Sequence, residues 1–305
     1  MQIQYNRTSQ NIRDFVRLRL KNHPKLNKFA ISSHRKYCSF TGFLHILPDY
    51  LILGAQKSGT NSLYWYLRQH PFVKRATTKE ILFFDKYYDR GLNWYRVCFP
   101  LKSQRYFLKN ILGKNLLTGE ATERYLDHPH APQRVKESIP NVKFIILLRN
   151  PVDRAYSHYN MRFSVGNETL SFEEAIEKEV QRTKGEYEKM LNDENYYSQA
   201  YFHHSYLDRG LYVEKIKRWM SIFPKEQFLL IQSEEFLKNT PLIYNKVLKF
   251  LNLPKWDLKE YEEVGLAKYK QPKMKDETRK KLIEFFQPHN QKLYEFLGRN
   301  FSWDK

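Results

Sequence analysis

The chain has 305 residues, with 52 Lys and Arg against 33 Asp and Glu, a formal charge of +19. Apolar residues including glycine make up about 45%, ordinary for a chain that buries a core, so global disorder is excluded. Apolar runs stop well short of the ~18–20 residues of a membrane span, and two cysteines, Cys38 and Cys98, make no disulfide framework. The basic excess restricts partners to anions: nucleic acid, an acidic membrane, a polyanionic glycan or a phosphate-rich nucleotide.

Residues 1–46 read as a basic N-terminal arm, and 47–305 as the folded domain. Residues 1–40 hold nine Lys and Arg and one acid, Asp14, a local charge of +8. Ile12, Phe15, Val16 and Leu20 fall on one helical face among arginines, a pattern suited to an acidic membrane surface or to packing on the domain. From Tyr50 the chain alternates. Short apolar runs at Tyr50–Leu53, Leu116–Thr118, Phe144–Leu148 and Phe228–Ile231 predict strands buried on both faces. Helical patterns fall at Ser62–Gln69, Val152–Phe163, Phe172–Met190, Leu211–Phe223 and Leu242–Leu251. The expected fold is α/β, P-loop-like and three-layered, with a central, mostly parallel sheet flanked by helices. Ligands of such sheets bind beyond the carboxyl ends of the strands. The charged stretch from about Ser164 to Tyr197 reads as an insertion over the sheet.

Beyond the first strand stands Gly54-Ala55-Gln56-Lys57-Ser58-Gly59-Thr60-Asn61, followed by a helix. A glycine loop opening a helix is an anion site, because free amides and the helix dipole point at the ligand. The two glycines keep P-loop spacing, but Lys57 precedes the second glycine by two places, and Asn61 stands where a Mg²⁺-binding Ser or Thr belongs. The strand Phe144–Leu148 ends in Arg149 rather than a carboxylate, with Asn150-Pro151 and then Ser157 following. Both departures argue against a kinase using ATP and Mg²⁺. They favour protein donors holding an anionic nucleotide without a metal.

Lys57-Ser58-Gly59-Thr60 and Arg149-Asn150-Pro151 with Ser157 resemble the two cofactor signatures of sulfotransferases that use 3′-phosphoadenosine 5′-phosphosulfate, PAPS. Glu80-Ile81-Leu82-Phe83-Phe84-Asp85, Gly91-Leu92-Asn93-Trp94-Tyr95 and Arg209-Gly210-Leu211-Tyr212 are similar to the carbohydrate branch with the heparan sulfate enzymes. So are Trp219 with Phe223-Pro224, Pro288-His289-Asn290 and Gly298 to Trp303. The resemblance runs from about Pro48 to Trp303; eukaryotic glycan members of the family are typically anchored in the Golgi, and without an apolar anchor run in this sequence a bacterial member is expected. The resemblance implies that Lys57, Ser58, Gly59, Thr60 and Asn61 cradle the 5′-phosphosulfate, with Lys57 also catalytic at the bridging oxygen. Arg149 and Ser157 would bind the 3′-phosphate, and Glu80 would be the general base.

Two departures stand out. Heparan members commonly carry Glu-Lys after the second strand, whereas this chain has Glu120-Ala121-Thr122-Glu123-Arg124; Glu120 and Arg124 become acceptor-binding candidates, Glu120 a rival base. The late cofactor loop reads Lys268-Tyr269-Lys270 without a nearby cysteine, and Lys268 and Lys270 carry over as cofactor contacts. The expected reaction moves a sulfuryl group to a carbohydrate, glycolipid or small-molecule acceptor, leaving adenosine 3′,5′-bisphosphate, in the cytoplasm or at a membrane periphery. No metal and no nucleic acid are expected. The rivals are a P-loop kinase and a basic nucleic-acid- or membrane-binding module. His128-Pro129-His130 reads as a surface loop.

Overall fold

The computed structural model describes residues 36–262 and 274–303. Five strands, β1 (Tyr50–Gly54), β2 (Val73–Arg75), β3 (Leu117–Glu120), β4 (Lys143–Leu148) and β5 (Phe228–Gln232), form one sheet in the order β2-β3-β1-β4-β5. Every pairing is parallel, as predicted. The main helices are α1 (Thr60–Leu67), α2 (Lys102–Leu112), α3 (Ala131–Ser138), α4 (Pro151–Ser164), α5 (Tyr212–Met220), α6 (Thr240–Phe250) and α7 (Asp276–Leu297).

The apolar runs are continuous because both sheet faces are covered. Leu51, Leu53, Phe144, Ile146 and Leu148 join a core with Trp219, Phe223 and Trp303. The alternate residues Tyr50, Ile52, Ile145 and Leu147 join the opposite core with α1 and α6. Close strand packing requires Gly119, where a Cβ would meet the Tyr50 carbonyl oxygen at 2.5 Å.

Two expectations need correction, and several elements escape the sequence reading. Phe172–Met190 is not one helix: it breaks into Phe172–Glu177, Glu179–Thr183 and Glu186–Asn192, with Gly185 turning the chain at φ 73°. Strand β2 and helices α2, α3 and α7 were not foreseen. Residues 36–46, the described end of the N-terminal segment, pack on the domain. A helical stretch over 36–41 leads into a turn at Gly42–Leu44, Cys38 and Ile46 are buried, and the Ile46 amide donates to the Pro100 carbonyl at 2.9 Å. His128 is fully buried rather than on a surface loop, and burial, then Arg134, push its pKa down to about 3. Among the described residues no helix is long and apolar enough to cross a membrane, and no three His, Cys, Asp or Glu are placed to hold a metal. The N-terminal helix pattern, Lys268 and Lys270 lie outside the described residues.

Candidate active site

The sheet order puts β1 between β3 and β4, so the loops leaving these three strands converge at one end. The β1–α1 loop is held by its backbone. The Ala55 amide donates to the Leu147 carbonyl (2.6 Å), and the Ser58 amide to the Ala55 carbonyl (3.3 Å). Ser233 Oγ donates to the Ser58 carbonyl (3.1 Å), and Arg149 to the Lys57 carbonyl (3.0 Å). Gly59 caps α1 at φ 91°, where a side chain would be strained and a Cβ would lie 3.3 Å from Phe236. Thr60 then opens α1, and first-turn amides have no acceptor within their own helix. Ser58 is completely buried and its Oγ has no hydrogen-bond partner among the described residues. Asn61, expected in the cradle, is exposed on the helix.

The β4–α4 turn faces this loop. Asn150 Oδ1 accepts the Val152 amide (2.9 Å) as the helix cap, and Pro151 fills the first helical position. The Asn150 amide donates to Glu234 (2.8 Å) and its side chain to the Trp303 carbonyl (3.4 Å). Trp303 Nε1 in turn donates to Glu234 (3.3 Å). Tyr212 donates to the Arg149 carbonyl (2.9 Å), so the Arg209–Tyr212 and Gly298–Trp303 motifs converge on one turn. The Arg149 side chain, half-buried, is thereby aimed at the loop. Ser157 sits half-buried nearly two turns into α4.

Glu80 is carried by the segment after β2, fastened to the end of β3. Glu120 is fully buried and accepts from Tyr95 (2.7 Å), Tyr125 (3.0 Å), Thr122 (2.7 Å) and the Ile81 amide (3.1 Å). Four donors fill a carboxylate's usual capacity. Glu120 is therefore a scaffold behind Glu80, and the expectation that it binds acceptor or replaces the base gives way to this geometry. Burial raises its pKa against those hydrogen bonds. Glu80 itself is partly open, its side chain 38% exposed.

Of the charged groups around Glu80, sequence reasoning singled out Arg124 but missed Lys79 and Glu123. Lys79 Nζ lies 3.3 Å from Glu80 and 3.7 Å from Glu123. Burial and then the Glu123 charge push the Glu80 pKa up, against the pull of Lys79 and Arg124. Burial alone would raise Glu123 too, but Lys79, Arg209 and hydrogen bonds from Gln56 and Thr60 outweigh it and hold it low. Thr60 Oγ1 donates to Glu123 at 3.2 Å, which joins the acceptor-side carboxylates to the loop. Arg124 donates to the Tyr197 hydroxyl, and its charge acts on Glu80 and on Asp85. Asp85 is buried with both oxygens unpartnered, and burial pushes its pKa up to about 7. Behind the loop, buried Arg209 donates to Asp127 (2.8 Å) and Gln56 (2.5 Å), while Lys215 pairs with Asp127 (2.8 Å). The charged neighbours Lys79, Glu123 and Arg124 were visible in the sequence; only the sheet order shows that they face one another.

The loop and turn together can hold an anionic group. Ser58 offers a buried unpartnered hydroxyl beside the opening amides of α1, and Arg149 a cation across from them.

A family model described as a sulfotransferase domain matches residues 47–297. The membrane-associated sulfotransferase kil1 of Dictyostelium discoideum is 28% identical, over 86% of this chain and 68% of its own length. Human heparan sulfate glucosamine 3-O-sulfotransferase 3B1 is 30% identical, over 85% of this chain and 65% of its own. The bifunctional heparan sulfate N-deacetylase/N-sulfotransferase 1 of Caenorhabditis elegans is 29% identical over 83% of this chain, which spans only 30% of that protein. A sulfotransferase from Alicyclobacillus acidocaldarius has a crystal structure matching 85% of this chain and 100% of its own, with TM-score 0.63 and 29% identity.

Proposed function

Because the chain belongs to the sulfotransferase family, we propose that it moves the sulfuryl group of PAPS to a hydroxyl or amine of a carbohydrate or glycan-like acceptor, with Glu80 as general base. The observation that carries this reading is the meeting of a phosphate-type loop, locked by Arg149, with a partly open carboxylate of raised pKa. The heparan sulfate relatives favour a carbohydrate acceptor over other hydroxyl compounds. The family match disfavours the kinase and the binding module.

PAPS, when bound, supplies a sulfuryl group on a good leaving group. Glu80 takes the proton from the acceptor as its oxygen or nitrogen bonds to sulfur, and the bond from sulfur to the bridging oxygen breaks. The electron pair leaves with adenosine 3′,5′-bisphosphate. Lys57 is assigned to the bridging oxygen, with Ser58 and the amides of Gly59 and Thr60 on the phosphosulfate and Arg149 and Ser157 on the 3′-phosphate. Asn61 would contribute through its backbone. Arg124 is the acceptor-side cation, and Lys268 and Lys270 are assigned to the nucleotide. A cation placed where charge develops accelerates departure of the leaving group.

The test is ligand stabilisation without metal. Adenosine 3′,5′-bisphosphate at ~100 times its Kd adds about 2.7 kcal/mol, a rise of several degrees in Tm, in EDTA. ATP with Mg²⁺ leaves Tm nearly unchanged. The reverse pattern overturns the reading.

A further inference from the structure

Helix α2 contains no buried residue, unlike every other main helix of the fold. Only Arg105 and Leu108 are even partly covered, so they mark its inward side. Outward, Tyr106, Phe107 and Ile111 are 73%, 60% and 61% exposed. At 100° per residue these three share one arc with Ser103 and Asn110, and Lys102 and Lys109 form its edge. Alongside, the bridge between His45 and Leu101 brings in the turn before β1, where Phe40, Phe43 and Leu44 are also exposed. Among the described residues, nine of the sixteen large exposed apolar side chains fall within 37–44 and 101–112. Such concentration marks an interaction surface rather than scattered exposure.

Charge selects the occupant. Residues 36–44 and 101–114 hold five basic residues and no acid, and among the described residues no ion pair engages Lys102, Lys109 or Lys114. A second copy of this chain carries +19 and residues 1–40 carry +8, so both are repelled. Aromatic and aliphatic side chains edged by lysines on an amphipathic helix suit the interface of an anionic bilayer. We propose that α2 and the adjoining turn dock this protein on anionic lipid membranes, with Tyr106, Phe107 and Ile111 inserted and Lys102 and Lys109 at the headgroups. Arg105 pairs with Asp49 (2.5 Å) just before β1, at the amino end of the sheet. Docking there leaves the nucleotide end of the sheet turned from the bilayer.

The experiment is co-sedimentation of the full chain with vesicles of phosphatidylcholine, alone or mixed with phosphatidylglycerol. Binding is expected to the mixed vesicles only, and to weaken in high salt. It should fall roughly tenfold or more in the variant Tyr106→Ser/Phe107→Ser/Ile111→Ser and in Lys102→Glu/Lys109→Glu. The second variant changes only exposed charges, so it stays informative if the first misfolds; retained stabilisation by adenosine 3′,5′-bisphosphate shows that either is folded. Three results overturn the proposal: no binding to mixed vesicles, binding that survives Lys102→Glu/Lys109→Glu (which would move it to the basic arm), or a dimer in solution that this variant dissociates.

Discussion

Glu80 can act as a base only when ionised, and its surroundings make ionisation harder. Burial and the Glu123 charge raise its pKa, while Lys79 and Arg124 oppose the rise. The rate under kcat conditions should therefore climb with pH through a value above the ordinary glutamate pKa. Glu123→Gln removes one negative neighbour and should move that limb to lower pH. Lys79→Met removes a positive neighbour and should move it to higher pH. Opposite displacements of the two kcat profiles are the signature of a shared electrostatic site, because a packing defect lowers the plateau without moving the limb. Glu80→Gln should abolish turnover while leaving nucleotide stabilisation in place.

At the scale of elements, β3 controls where Glu80 stands. The end of β3 supplies Glu120, and Glu120 receives the Ile81 amide together with two tyrosine hydroxyls. Glu120→Ala leaves buried donors without acceptors, at about 1–3 kcal/mol each, for a loss of roughly 3–5 kcal/mol in urea unfolding. It should lower kcat by releasing the 79–83 segment, while the Kd for adenosine 3′,5′-bisphosphate stays within about twofold, since that site rests on β1 and β4. The sequence made the four long strands and the β1 and β4 loops legible, because each rests on local signals: an apolar run, a glycine spacing, a proline after Asn150. It did not reveal β2, three residues with a single buried side chain, or α2, which has no fully buried residue and touches the core only through Leu108. Nor could it separate Glu120 from Glu123. Glu120 ends β3 and Glu123 stands three places on, and partners distant in the chain, Tyr95 for the first and Thr60 and Lys79 for the second, turn one inward as scaffold and leave the other in the site.

Across the whole molecule, buried titratable groups pull stability in opposite directions with pH. Asp49, Glu80, Asp85, Glu120 and Glu179 all have raised pKa values, chiefly through burial, with Asp85 and Glu179 at about 7. Folding takes up protons on these groups above pH ~4, so their contribution falls as pH rises from there towards 7. His70, His128, His158, His203, His204 and His289 are lowered, again chiefly by burial, with His128 at about 3 and His203 at about 4. The unfolded chain binds more protons on the histidines below pH ~6.5, so their contribution rises with pH over the same interval. The two sets oppose each other between pH ~4 and ~6.5, and Tm should change little there. Below that, Asp127 and Glu168 add a one-sided loss. Both are held at about 2 despite burial, Asp127 by Arg209 and Lys215 and Glu168 by Arg182 and Tyr206. Their stabilisation is complete above the unfolded carboxylate range and disappears as pH falls through 2, so Tm should drop steeply below pH ~4. Asp85→Asn with Glu179→Gln takes two groups from the first set and exposes the second. In that double variant the flat region should become a slope, with Tm rising from pH ~4.5 to ~6.5. A Tm that stays flat in the variant would show that the buried histidines do not set its acid side.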